Sequence, residues 1–180
     1  MAKKTDDTSI RIYEQPIAYK YTVYINDVVE PDYFNDLFYK LQNSSENDIF
    51  EININSFGGN EDTAIQMYNE IVTSDANVVG CVSGYCCSAG TIALLACDNW
   101  SITKTSKIMI HSPSGFMMGK YNETKAQSHF DDQWTKDFFK TVYKNFLTDK
   151  EIQEVLDGKD FWLTGEETVE RLKKFVKARK

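Results

Sequence analysis

Apolar residues recur along this chain with two periods, and each change of period marks an element boundary. Tyr21 to Ile25 (YTVYI) is rich in β-branched and aromatic residues and predicts a strand. Pro31 opens a segment with Tyr33, Phe34, Leu37, Phe38 and Leu41 at helical spacing. Ile49 to Ile54 alternates as a strand does and runs into a predicted turn at Asn55-Ser56-Phe57-Gly58-Gly59. The following helix carries Ala64, Tyr68, Ile71 and Val72 on one face. Val78 to Val82 predicts a short buried strand, and after Gly84 the run Ser88 to Cys97 is uncharged and helical in character. Two short strands bracket Thr103-Lys104-Thr105, the second being Lys107 to Ile110 and ending at His111.

In the last third, Phe130, Trp134, Phe138, Val142 and Phe146 recur every fourth residue and predict a long amphipathic helix with a core face. Thr148 with Glu151, and Thr164 with Glu167, are capping-box signatures that open two further helices. Strands alternating with helices indicate an α/β fold with a largely parallel sheet. No repeat, low-complexity stretch or linker divides the 180 residues, which predicts one domain over 1–180.

Charge changes this picture modestly. The net charge of −7 argues against nucleic acid as the main ligand. Six basic residues and no acids lie in 171–180, leaving 14 basic against 27 acidic residues elsewhere. That basic tail reads as a solvated helix end complementing its own dipole. No stretch has the roughly 18 consecutive apolar residues of a membrane span. The first residues, MAKKTDDTSIRIY, lack a signal core, so an intracellular, cytoplasmic location is expected. Cys81, Cys86, Cys87 and Cys97 have neither the spacing nor the histidine of a metal site and read as small buried hydrophobes, so no metal is expected.

Candidate chemistry starts at Ser88, which follows a strand and a glycine turn and opens a helix. Free amides and a helix dipole there suit the oxyanion of acyl transfer, although a plain N-cap fits the same spacing. The lipase elbow Gly-x-Ser-x-Gly is not met, because position 86 is Cys. A serine nucleophile needs a base, and only two histidines exist. His111 stands at a strand end, where ligand crevices form, and His129 falls within the long helix as a surface residue. Composition alone does not choose the orienting carboxylate. Asp160, between Gly158 and the apolar Phe161-Trp162-Leu163, is suggestively placed.

These residues resemble the ClpP (Clp proteolytic-subunit) family of serine peptidases. Ile54-Asn55-Ser56-Phe57-Gly58-Gly59 is similar to its INSPGG turn, and Gly84-Tyr85-Cys86-Cys87-Ser88-Ala89-Gly90 to its GQAASMG nucleophile motif. Met109-Ile110-His111-Ser112-Pro113 resembles MIHQP, and Lys159-Asp160-Phe161-Trp162-Leu163-Thr164 resembles RDxFMS. The resemblance runs from about Val23 to about Val169. It implies a ClpP/crotonase-like fold with a handle strand and helix extending from the core. It also implies a triad of Ser88, His111 and Asp160, with Gly59 and Ala89 amides as the oxyanion hole. Gly58, Ser114, Gly115, Phe116 and Met117 would bind peptide as an added strand. Peptide or unfolded protein would be cut inside a homo-oligomeric ring or double ring, with no cofactor in this chain and ATP entering only through a partner unfoldase.

Some positions depart from the family. Phe57, Tyr85, Cys86 and Cys87 replace smaller or polar motif residues, and Phe116 replaces a handle glycine. Thr8 to Lys20 is short and contains Pro16, where cellular members place a helix after a pore loop, which counts against an AAA+ unfoldase partner. Phage head-maturation peptidases, which would act in the host cytoplasm, resemble this pattern of retained triad and altered periphery. Two other readings are a catalytically silent ring or scaffold component and a crotonase-type acyl-CoA enzyme, the second disfavoured by the motifs. A signal-peptide-peptidase relative would want a catalytic lysine and a membrane anchor, and the anchor is missing.

Overall fold

The computed structural model describes residues 15–114 and 118–179. Its six-stranded sheet is built from β1 (Lys20–Val29), β2 (Ile49–Gly59), β3 (Asn77–Cys87), β4 (Asn99–Ile102), β5 (Lys107–Ile110) and β6 (Phe161–Thr164). The order is β1-β2-β3-β5-β6, and β4 pairs with β3 as well. All pairings are parallel except β5 with β6. β3 therefore forks: Val79–Val82 pairs β4, and Tyr85–Cys87 pairs β5.

Helices α1 (Asn35–Gln42), α2 (Glu61–Thr73), α3 (Ala89–Ala96), α4 (Tyr121–Tyr143), α5 (Asp149–Leu156) and α6 (Gly165–Arg179) surround the sheet. Every residue of α3 is buried, as expected of a helix that is apolar on all sides. It packs on α2, β2 and β3, joining Ile52, Ile54, Val78, Val82, Ile92 and Leu95 in one core. Thr148–Glu151 forms both bonds of its capping box, and Thr164–Glu167 does the same.

Four expectations are corrected. The segment read as a turn at Asn55–Gly59 stays paired to the end of β2, because one extra β2 residue is absorbed as a bulge against β1. β3 likewise runs through Gly84, and the Asn55 side chain takes the Tyr85 N–H at 3.1 Å where the ladder slips. On α2 the buried face is Thr63, Ala64, Met67 and Ile71, with Val72 turned outward. On α4 the expected stripe holds as core only toward its end: Phe130 is 64% exposed, Phe138 packs on the core, Val142 and Phe146 are buried, and Phe139 and Tyr143 join them. A strict four-residue spacing drifts by about 40° per step on a 3.6-residue helix, so that stripe winds off the core face.

The basic end is only partly a solvated tail. Arg171 is half-buried and makes a two-pronged pair with Glu151 (2.7 and 3.0 Å), while Leu172 and Phe175 enter the core. Of the expected handle strand, residues 115–117 lie outside the described residues, as does the segment before residue 15.

Candidate active site

β3 ends at Cys87 and α3 begins at Ala89, so Ser88 alone converts strand into helix, at φ 51° and ψ −122°. A non-glycine residue at such a φ costs about 1–3 kcal/mol and persists only where its surroundings over-determine it. Here the Ser88 N–H donates to the Met109 carbonyl at 2.8 Å. The Ser88 carbonyl accepts from the Thr91 N–H (2.8 Å) and the Thr91 hydroxyl (2.7 Å). The result is the strand–turn–helix geometry of a nucleophile elbow, reached without the Gly-x-Ser-x-Gly pattern.

The Ser88–Met109 bond continues the β3–β5 register, in which Cys87 opposes Met109. Two residues further on, His111 leaves the end of β5, and its Nε2 lies 2.8 Å from Ser88 Oγ. Both side chains are half-buried. When the serine hydroxyl donates in this contact, Nε2 is the bare nitrogen and the imidazole proton sits on Nδ1.

Gly58 closes the site from β2. A Cβ at Gly58 would stand 2.6 Å from Ser88 Cβ and 3.2 Å from its Oγ, and the residue has φ +110°. Only glycine fits there. Its N–H is held by the buried Ser56 hydroxyl at 3.1 Å. Gly59 packs instead on β1, where a Cβ would meet the Val29 carbonyl oxygen. Ala89, as the first residue of α3, has an amide with no intrahelical acceptor.

Asp160 directly precedes β6, where Ile110 pairs with Phe161, so His111 and Asp160 flank the last pair of that ladder, one residue beyond it on each strand. The Asp160 side chain is exposed. Ser114 is exposed just beyond His111, and Gly115, Phe116 and Met117 lie outside the described residues. His129 is exposed on α4. Burial pushes the Cys86 and Cys87 thiols up, so both are neutral, apolar packing beneath the serine. Phe57 and Tyr85 pack ring to ring at 4.5 Å, and Lys107 lies over Tyr85 at 5.1 Å.

A family model described as Clp protease matches residues 3–171. The chain belongs to the Clp protease family. A point mutant of ClpP1 from Listeria monocytogenes has the same fold, with a TM-score of 0.68 over 83% of this chain and 86% of that one, at 22% identity. No curated protein matches the sequence closely enough to count as a relative. The protein is thus a ClpP-like peptidase domain with the α/β ClpP fold that its motifs imply. Among the described residues, no helix is long and apolar enough to cross a membrane.

Three further residues escape a reading of the sequence. Thr91 and Tyr143 bond to each other at 2.7 Å beneath the elbow. Glu61, opening α2 after the glycine pair, has its Oε1 buried without a partner among the described residues. Burial, then Asp62 and Asp131, push the Glu61 carboxyl above its usual range. Thr91 leaves a faint signal, being the only side-chain hydroxyl in an otherwise apolar helix, whereas nothing in the pattern singles out Tyr143.

Proposed function

We propose that this chain is a serine endopeptidase in which Ser88 is the nucleophile, His111 the general base and Asp160 the residue that orients the imidazole. The observation that carries this reading is the 2.8 Å contact between His111 Nε2 and Ser88 Oγ on a strained strand-to-helix elbow. His111 takes the serine proton as Oγ bonds to the scissile carbonyl carbon, and the carbonyl π electrons move onto oxygen. Collapse of that tetrahedral species breaks the C–N bond, and His111 returns the proton to the leaving amine. Water then repeats the sequence on the acyl-enzyme. The Ala89 amide and the Gly58–Gly59 backbone, with Gly59 as the donor implied by family resemblance, receive the oxyanion. Peptide would lie along Gly58 and the Ser114–Met117 segment as an added strand.

Asp160 is the member that needs movement. Residues opposed across an antiparallel pair hold their Cβ atoms about 4.5–5.5 Å apart, within a carboxylate's reach of Nδ1. Family membership, with Phe130 exposed on α4, supports a homo-oligomeric ring or double ring as the setting. A phage head-maturation peptidase working without an ATPase is an alternative setting, supported by the resemblance of retained triad motifs and altered periphery. The test is hydrolysis of fluorogenic peptides and unfolded casein by the assembled chain. Turnover lost in Ser88→Ala and kept in Ser83→Ala supports the reading, and turnover equal in both removes it.

The exposed Asp160 carboxylate favours a second reading, a catalytically silent ring component. It predicts assembly without hydrolysis of any peptide between about pH 6 and 9.

A further inference from the structure

The backbone of Ser88 is anchored from a distance. The Thr91 hydroxyl has one proton, and it goes to the Ser88 carbonyl oxygen at 2.7 Å. The 2.7 Å contact between Thr91 Oγ1 and the Tyr143 hydroxyl must then be a donation from the tyrosine. Thr91 and Tyr143 are each 99% buried, so water does not replace either bond. Burial also raises the Tyr143 phenol far above its ordinary range, which keeps it a neutral donor at every working pH. The two hydroxyls act in series, from the last residue of α4 through α3 to the strained backbone of Ser88 at φ 51°. Polarisation along such a chain strengthens its final bond, here the one on the Ser88 carbonyl.

We propose that Thr91 and Tyr143 are positioning residues, whose hydroxyls in series clamp the Ser88 carbonyl and hold Oγ on His111. The proposal rests on the serine-peptidase reading above. Neither side chain touches substrate. Their effect passes through the ψ of Ser88 and ties the C-terminal end of α4 to the aim of the nucleophile.

The test compares wild type with Tyr143→Phe, Thr91→Val, Thr91→Ser and the Tyr143→Phe/Thr91→Val double variant as full assembled chains. Inactivation rate with a fluorophosphonate, kcat and KM on a fluorogenic peptide, and Tm are measured for each. A clamp predicts that Tyr143→Phe and Thr91→Val lower both the inactivation rate and kcat by about tenfold or more, with KM unchanged. The double variant is no slower than Thr91→Val, and Thr91→Ser restores the rate because it keeps the hydroxyl. Lower Tm with unchanged rates means a purely structural pair and overturns the proposal. Should Tyr143→Phe fail to fold, the contrast between Thr91→Val and Thr91→Ser decides it. Wild type that takes no label at Ser88 removes the serine-peptidase reading itself, whereas equal labelling of wild type and variants removes only the clamp.

Discussion

His111 and Asp160 each stand one residue beyond Ile110–Phe161, the last pair of the β5–β6 ladder, yet Asp160 is exposed and bonds to no described residue. The strand register supplies the juxtaposition and leaves the last hydrogen bond to a side-chain rotation. If that bond forms during catalysis, Asp160→Asn removes the group that stabilises imidazolium. We predict a loss in kcat/KM of about 100-fold or more, with Tm within about 2 °C of wild type because the side chain is exposed. Paired peptidase assays and thermal melts check it.

Gly58→Ala tests the close approach of β2 to the nucleophile. An added Cβ would stand 2.6 Å from Ser88 Cβ on a residue at φ +110°. The expected outcome is near-complete loss of probe labelling, with Tm lowered by an amount equivalent to about 1–3 kcal/mol. Gly119→Ala, whose Cβ meets nothing nearer than 3.5 Å, is the control and leaves Tm unchanged.

Glu151 links α5 to α6. Its bonds from Arg171, followed by those from Thr148, hold its carboxyl down from 4.5 to about 2. A lowered folded-state value means stability that is present above about pH 4.5 and lost as pH falls toward about 2. Glu151→Gln is therefore expected to cost about 1–2 kcal/mol at neutral pH, after allowance for solvent screening, with the gap closing on acidification. Melts across that range measure it.

Glu61 has the opposite sign. Its carboxyl is raised by burial, so its contribution is complete below about pH 4.5 and is lost as pH rises through the higher folded-state value. The Tm difference between Glu61→Gln and wild type should thus become more favourable to the variant from about pH 4 to about pH 8. A flat difference would show that Glu61 does not titrate with folding.

Much of this was legible in the chain because short-range chemistry carries it. β-branched runs gave β1 to β3, capping boxes gave the starts of α5 and α6, and the lack of charge from Ser88 to Cys97 marked α3. Ser88 and His111 were visible as a strand-to-helix serine and a strand-end histidine, and the fold brings them together. What was not legible depends on register and helix phase. The β2 and β3 bulges keep Asn55–Gly59 and Gly84 in the sheet, which glycine content alone reads as turns. The phase of α4 exposes Phe130 and buries Tyr143, and the Thr91–Tyr143 bond spans 52 residues that no local pattern connects.

The most direct test of the account is covalent labelling of the assembled chain with a fluorophosphonate, with the adduct mapped by tandem mass spectrometry. The account predicts one adduct per chain, on Ser88, with a labelling rate that falls by about 100-fold or more in His111→Ala. An adduct at another residue, or a rate unaffected by His111→Ala, would contradict it.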